Sequence, residues 1–151
     1  KFGYVPGTKG YKVRKITADT DMQQKLNLSP DDKVLTFERI RTANELVAAY
    51  CIDTFPEKIF KGRLPQQDYQ GSMFEYLERD LDIHIEYAVA EILPASFEGK
   101  MCEKLGIPQD TFFILLKQIH FDRQGQPMIY SMDYYNSNIF RFFVNRKRNL
   151  R

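Results

Sequence analysis

The chain has 151 residues, enough for one domain with a sizeable buried core. Apolar residues make up 43% and aromatic residues 14%, which excludes a disordered chain, and the many Phe and Tyr side chains favour a protein rich in β-strands. The net charge of +2 is too small to indicate nucleic-acid binding on its own.

Cys51 and Cys102 are the only cysteines, and their spacing matches neither a metal site nor a redox motif. Reduced thiols and a cytoplasmic location are therefore expected. No apolar stretch approaches the roughly 18 residues of a membrane span.

The first half of the chain predicts a linker followed by a strand, a helix and a hairpin. Residues 1–10 are rich in Gly and Pro, and residues 11–16 are expected to form the first strand. Asp19 or Thr20 can cap a helix that ends near Leu26, after which residues 34–41 and 47–54 predict two paired strands.

The middle of the chain predicts a second helix that begins at Ser72. The pattern Ser-x-x-Glu from Ser72 is a capping box, and the helix is expected to bury Phe74, Leu77 and Leu81. Residues 85–93 alternate between apolar and polar positions, which predicts a strand.

The second half repeats the first. Residues 22–41 read MQQKLNLSPDDKVLTFERIR and residues 101–120 read MCEKLGIPQDTFFILLKQIH. The second copy predicts a helix over 95–105 and strands over 111–121 and 128–134, and a last strand is expected near 140–144. Since an array of repeats needs three or more units, two copies predict one duplicated sheet. The fold class is therefore α+β, with a mostly antiparallel sheet of about six strands.

Arg39 and Arg41 are the strongest candidates for a binding site. They share one face of their strand with Leu35 and Phe37, so an inward-facing apolar pair would carry two guanidinium groups with it. A buried guanidinium needs an anion or a carboxylate, and two on one strand can hold a carboxylate or a phosphate. Alternatively, strand twist turns both arginines to solvent.

Other polar residues have a functional and a structural interpretation. Ser72, Met73 and Phe74 would offer free amides to an anion, or Ser72 is an ordinary helix cap. Glu91 either pairs with an arginine or lies at a strand edge. The tyrosines of the last strand either line a cavity or belong to the core.

Catalytic and metal motifs are missing from the sequence. His84 and His120 lie far apart, without a triad arrangement around them, and no metal-ligand spacing or phosphate-binding loop occurs. No cofactor is expected.

The ordered set of segments resembles the UTRA domain, the effector-binding domain of the HutC branch of GntR-type bacterial regulators. It comprises the run KLNLSPDDKVLTFERIRTAN, the pair Phe55-Pro56, the triplet Ser72-Met73-Phe74, and residues 85–95, 105–107 and 122–135. The resemblance implies a chorismate-lyase-like fold, a homodimer, a cavity for a small anionic effector, and a winged helix-turn-helix domain before the linker. The start at Lys1 instead of Met agrees with an absent DNA-binding domain.

The resemblance also assigns site residues. Arg39 and Arg41 match the pair that holds the effector's anionic group, and Ser72 matches the serine that opens the phosphate-binding helix, with Met73 and Phe74 after it. Glu91 falls on an often acidic position, and Tyr135 falls on the tyrosine of the closing motif.

Two positions depart from members that bind amino sugars. Cys51 and Ile129 stand where those members carry carboxylates, which predicts an apolar wall opposite the arginines and weak binding of hexosamine 6-phosphates. The expected function is an effector-binding and dimerisation domain that controls DNA binding, and an enzyme acting on a carboxylated substrate is the alternative.

Overall fold

The structure is a computed structural model that describes residues 3–66, 69 and 71–149. Its strands, in chain order, are β1 (Pro6–Thr17), β2 (Lys33–Ala43), β3 (Leu46–Pro56), β4 (Ile85–Ala95), β5 (Phe113–Asp122) and β6 (Pro127–Asn136). Its helices are α1 (Thr20–Leu26), α2 (Met73–Leu81) and α3 (Gly99–Leu105), and a short 3₁₀ helix covers Glu57–Phe60.

The six strands form one antiparallel sheet in the order β1-β2-β3-β6-β5-β4. Each half of the chain contributes a strand, a helix and a hairpin, and the halves meet where β3 pairs with β6. This arrangement confirms the α+β class and the duplication that the repeated sequence predicts. The long strand pairs leave β1 and β4 as the two edges.

The duplicated helices begin and end by similar local chemistry. Asp19 caps α1 because its carboxylate accepts a hydrogen bond from the Met22 amide at 2.8 Å. Helices α1 and α3 are each followed by a C-cap residue with left-handed backbone, Asn27 (φ 52°) and Gly106 (φ 67°). Asn and Gly tolerate that conformation best, so both copies stop their helix at the same place.

The two faces of the sheet carry different helices. Helices α1 and α3 pack on one face, where Leu26 and Leu105 are buried in two separate apolar clusters. Helix α2 packs on the other face through Leu77, over a cluster that includes Phe37, Phe55 and Ile129. None of these helices, within the described part of the chain, is long and apolar enough to cross a membrane.

Helix α2 buries Met73 instead of Phe74. Met73, Leu77 and Leu81 are spaced by four residues and share the inward face, as the helical period requires. Phe74 lies about 100° further round the helix, and 47% of its surface is exposed. The expectation that Phe74 belongs to the core is therefore wrong.

The starts of two elements and one predicted strand also differ from the structure. Strand β1 begins at Pro6, before residue 11, and α3 begins only at Gly99 because β4 continues to Ala95. Residues 140–144 form no strand. The amides of Ile139 and Phe140 both donate to the Asn136 carbonyl, so the chain turns away after β6 instead of pairing again.

Candidate functional site

Arg39 is a buried cation without full hydrogen bonding. Only 9% of its surface is exposed, and its buried Nε has no hydrogen-bond partner. Its Nη2 donates to the Gly71 carbonyl at 3.3 Å, and its guanidinium carbon lies 5.3 Å from the centre of the Tyr11 ring. A buried charge with an unsatisfied donor is costly unless an anion completes the site.

Arg41 lies two residues along β2 on the same face, and it is exposed. The alternative in which both arginines turn to solvent therefore fails for Arg39 and holds for Arg41. The Arg39 guanidinium is fixed inside the fold, while the Arg41 guanidinium lies at the protein surface.

The start of α2 lies beside Arg39. The Ser72 hydroxyl caps the helix by accepting a hydrogen bond from the Glu75 amide at 3.4 Å, and the Gly71 carbonyl that contacts Arg39 immediately precedes this cap. A helix start carries free amides and partial positive charge. The Phe74 ring lies 5.2 Å from the ring of His120, so the first turn of α2 reaches from β2 toward β5.

Two aspartates complete the polar centre of this face. Strand register places Cys51 between Arg39 and Asp133, and it places Asp53 between Phe37 and Ser131. Since paired residues in neighbouring strands share a face, Asp53 and Asp133 lie on the arginine side of the sheet.

Both aspartates are held in surroundings that disfavour their charge. Burial raises the pKa of Asp53, although a hydrogen bond from Ser131 and the two arginine charges act against that rise. Burial and then the Asp53 charge raise the pKa of Asp133 to about 6, opposed by Cys51, by Gln118 and by Arg41. Burial also raises the pKa of the Cys51 thiol, which keeps it protonated.

Gln118 and His120 form the side of the site opposite Arg39. The Gln118 amide donates to the Asp133 carboxylate at 3.3 Å. His120 is buried, and burial lowers the pKa of its imidazole. In the two repeated segments, residues 118 and 120 align with the arginines at 39 and 41. Duplication has thus produced a charged pair in one half and a neutral polar pair in the other.

Tyr135 shares the arginine face through its pairing with Ala49 on β3. Burial, followed by the Asp133 charge, raises the pKa of its hydroxyl to about 12. Its ring lies 5.2 Å from the rings of both Phe140 and Phe142. The segment after β6 therefore packs against the end of the site.

Glu91 does not join the site. It lies exposed on edge strand β4 and pairs with Lys117, whereas its neighbour Ala90 pairs with Gln118. Alternation along the strands therefore puts Glu91 on the opposite face of the sheet from the arginines. A pairing of Glu91 with Arg39 or Arg41 within this chain is ruled out.

The expected apolar wall is absent from this face of the described chain. Ile129 is 1% exposed and belongs to the cluster beneath α2, so it lines no open site. Cys51 does face the site, but Asp133 lies beside it and Asp53 two residues along the same strand. The wall next to the arginines is therefore acidic.

The sequence carried a partial signal for Asp53 and Asp133, which were not predicted as site residues. Asp53 lies two residues after Cys51 on one strand, and Asp133 lies two residues before Tyr135 on another, so the members of each pair share a face. The pairing of β3 with β6, which joins them, is not a local feature of the sequence. Among the described residues, no group of three or more His, Cys, Asp or Glu is arranged to hold a metal ion.

Comparisons with known proteins agree with this architecture. The family model of the UTRA domain matches residues 1–141. The HTH-type transcriptional repressor NagR of Bacillus subtilis is 21% identical over 140 residues, which cover 93% of this chain and 57% of the repressor. The chain thus spans little more than half the length of that relative.

Solved structures show the same fold. The ligand-binding domain of a putative GntR-family transcriptional regulator from Bordetella bronchiseptica superposes with a TM-score of 0.83 at 14% identity, covering 95% of this chain and 90% of that one. PhnF from Mycobacterium smegmatis gives 0.85 at 19% identity, covering 98% and 65%. The duplicated sheet, the helices on its two faces and the match over nearly the whole sequence lead to one conclusion: the chain belongs to the UTRA domain family.

Proposed function

We propose that this domain is the effector sensor of a transcription regulator and that its effector carries a phosphate or a carboxylate group. The observation that carries the proposal is the buried guanidinium of Arg39, whose Nε has no hydrogen-bond partner beside the start of α2. A protein retains such a group at a cost in stability, and an anion removes that cost on binding.

The anionic group would be held from two sides. Arg39 supplies a fixed donor from β2, and Arg41 adds a second charge from the rim. The first turn of α2, capped by Ser72 and continued by Met73 and Phe74, supplies amides and partial positive charge. Charge-assisted hydrogen bonds of this kind are about twice as strong as neutral ones.

The regulatory role follows from the similarity to a repressor and to ligand-binding domains of regulators. We propose that a winged helix-turn-helix domain precedes the segment 1–10, that the whole protein binds DNA in the cytoplasm through that domain, and that this domain is a sensor and not an enzyme. An effector changes DNA binding only if it binds two arrangements of the protein with different affinity. The start of α2 is the element best placed to respond, because it contacts both Arg39 and His120.

A homodimer accompanies this proposal. Edge strand β4 exposes Tyr87, Val89 and Ile92, and the segment after β6 exposes Phe143 and Val144. Exposed apolar side chains along an unpaired strand edge favour association, since open edges otherwise promote uncontrolled pairing. A second copy of this chain would cover these surfaces.

A thermal-shift screen of anionic metabolites tests the proposal, because a ligand that binds only the folded state raises the melting temperature. Arg39→Ala is expected to weaken binding of the anionic effector by about 1.5–3 kcal/mol, the range for hydrogen bonds to charged groups. Arg14→Ala is the matched control, since Arg14 lies on a neighbouring strand and faces the other side of the sheet. Anions that stabilise the wild type and the Arg39 variant equally would contradict the proposal.

A further inference from the structure

The centre of the arginine face contains two positive and two negative groups that do not pair with one another. Among the described residues, no ion pair within 4.0 Å joins Arg39 or Arg41 to Asp53 or Asp133. The charges are instead separated along the sheet, with the arginines on β2 and the carboxylates on β3 and β6. The face therefore has a positive and a negative end.

We propose that the effector carries an ammonium group besides its anionic group, and that Asp53 and Asp133 bind this ammonium group while Arg39 and Arg41 bind the anion. This inference rests on the proposed function, since it assumes that the arginine face is the effector site.

The spacing of the charges suits a small dipolar metabolite. Arg39, Cys51 and Asp133 lie side by side on three adjacent strands. With strands roughly 4.8 Å apart, their backbones span about 10 Å. One ligand can therefore contact both ends.

A cation suits the acidic end better than a neutral hydroxyl group does. The Asp53 charge disfavours the charge of the half-buried Asp133 carboxylate, and a hydroxyl group leaves that repulsion in place. An ammonium group neutralises it and offers three donors. Gln118 donates to one oxygen of Asp133 and Ser131 donates to Asp53, which holds both carboxylates in place for a ligand.

Matched ligand pairs provide the test. Glucosamine 6-phosphate and glucose 6-phosphate differ only in an ammonium group against a hydroxyl group, and phosphoethanolamine and ethyl phosphate form a second, smaller pair. Calorimetry on the intact domain is expected to show the ammonium-bearing member of at least one pair binding about tenfold more tightly, or about 1.4 kcal/mol. Equal affinity within both pairs, including no binding by any member, would overturn the inference.

Variants separate the two ends of the site. Asp133→Asn is expected to abolish the preference for the ammonium-bearing member while phosphate binding persists, and Arg39→Met is expected to weaken both members of a pair alike. Glu91→Gln, an exposed carboxylate change on the opposite face, is expected to change neither. A preference that survives Asp133→Asn in a folded protein, judged by its circular dichroism, would contradict the inference.

The same experiments test the proposed function separately from the ammonium inference. If the wild type binds inorganic phosphate and Arg39→Met does not, the proposal of an anionic effector still holds, even when no ammonium preference is found. Ligand pairs that bind the Arg39→Met variant as tightly as the wild type would contradict both proposals, because they would place the site elsewhere.

Discussion

Arg39 shows how the fold fixes the position of the residue on which the proposed function rests. Its strand position is fixed by Leu35 and Phe37, which pack beneath α2 and carry the guanidinium inward with them. The side chain then has a carbonyl and an aromatic ring as neighbours, but no carboxylate within ion-pair distance among the described residues. Stability alone does not account for a cation in that environment.

Replacement of Arg39 by Met, an apolar residue of similar length, is expected to weaken anion binding without lowering the free energy of unfolding. Arg39→Met removes a buried, incompletely bonded charge, so the ligand-free domain should lose no stability and can gain about 1 kcal/mol. Chemical denaturation with and without an anionic ligand measures both effects. A loss of several kcal/mol in the ligand-free protein would show that Arg39 has a structural role instead.

Asp133 is expected to make stability depend on pH. Its folded-state pKa of about 6 lies above the ordinary value of 3.8, so the folded protein binds the proton more tightly than the unfolded chain does. Stability therefore falls as pH rises from about 4 through about 6. Asp133→Asn should raise the melting temperature more at pH 8 than at pH 4.5.

The exposed Asp110 gives the control, since Asp110→Asn should shift the melting temperature by a similar small amount at both pH values. A gain from Asp133→Asn that is no larger at pH 8 than at pH 4.5 would mean that burial does not penalise this carboxylate.

At the scale of elements, local patterns predicted most helices and strands because each has a local cause. The hairpin pattern predicted β2 and β3, apolar alternation predicted β4, and the Ser-x-x-Glu pattern predicted the start of α2. The strand predicted near residues 140–144 was wrong, because their apolar composition does not show that hydrogen bonds to the Asn136 carbonyl turn the chain away from the sheet. Asp53 and Asp133 were missed since only the pairing of β3 with β6 joins them.

The cap of α2 is expected to matter for stability and for binding. Ser72→Ala removes the acceptor for the Glu75 amide and should cost about 1 kcal/mol of stability, and it should also weaken anion binding at the helix start. Asp19→Ala removes the equivalent cap of α1 on the other face and should lower stability without changing binding. Similar losses of affinity in the two variants would argue that Ser72 acts only through stability.

At the scale of the whole molecule, duplication has produced a sheet whose two halves are alike in path and different in chemistry. The central strands β3 and β6 come from different halves, so the acidic end of the proposed site forms only when both halves are assembled. The arginines come from the first half and the neutral pair Gln118 and His120 from the second. The duplicated fold thereby gives the proposed site two distinct ends.

The domain is expected to be a dimer at micromolar concentration, with the edge strand β4 and the segment after β6 at the interface. Val89 is 60% exposed and Phe143 is 89% exposed, so Val89→Asp and Phe143→Asp should each weaken association. Leu46→Asp, at the exposed start of β3, is the control. Light scattering that shows only monomer for the wild type would contradict this expectation.

Binding of an anion by Arg39 is the central claim, and the Arg39 Nε–H group reports on it directly. A ¹H–¹⁵N spectrum of the arginine side chains, recorded during a titration with inorganic phosphate, follows that group, and the signal missing in Arg39→Met assigns it. We expect the Arg39 signal to shift and saturate while the Arg14 signal stays in place. An Arg39 signal that does not respond, or that moves only in parallel with Arg14, would contradict the assignment of this face as the effector site.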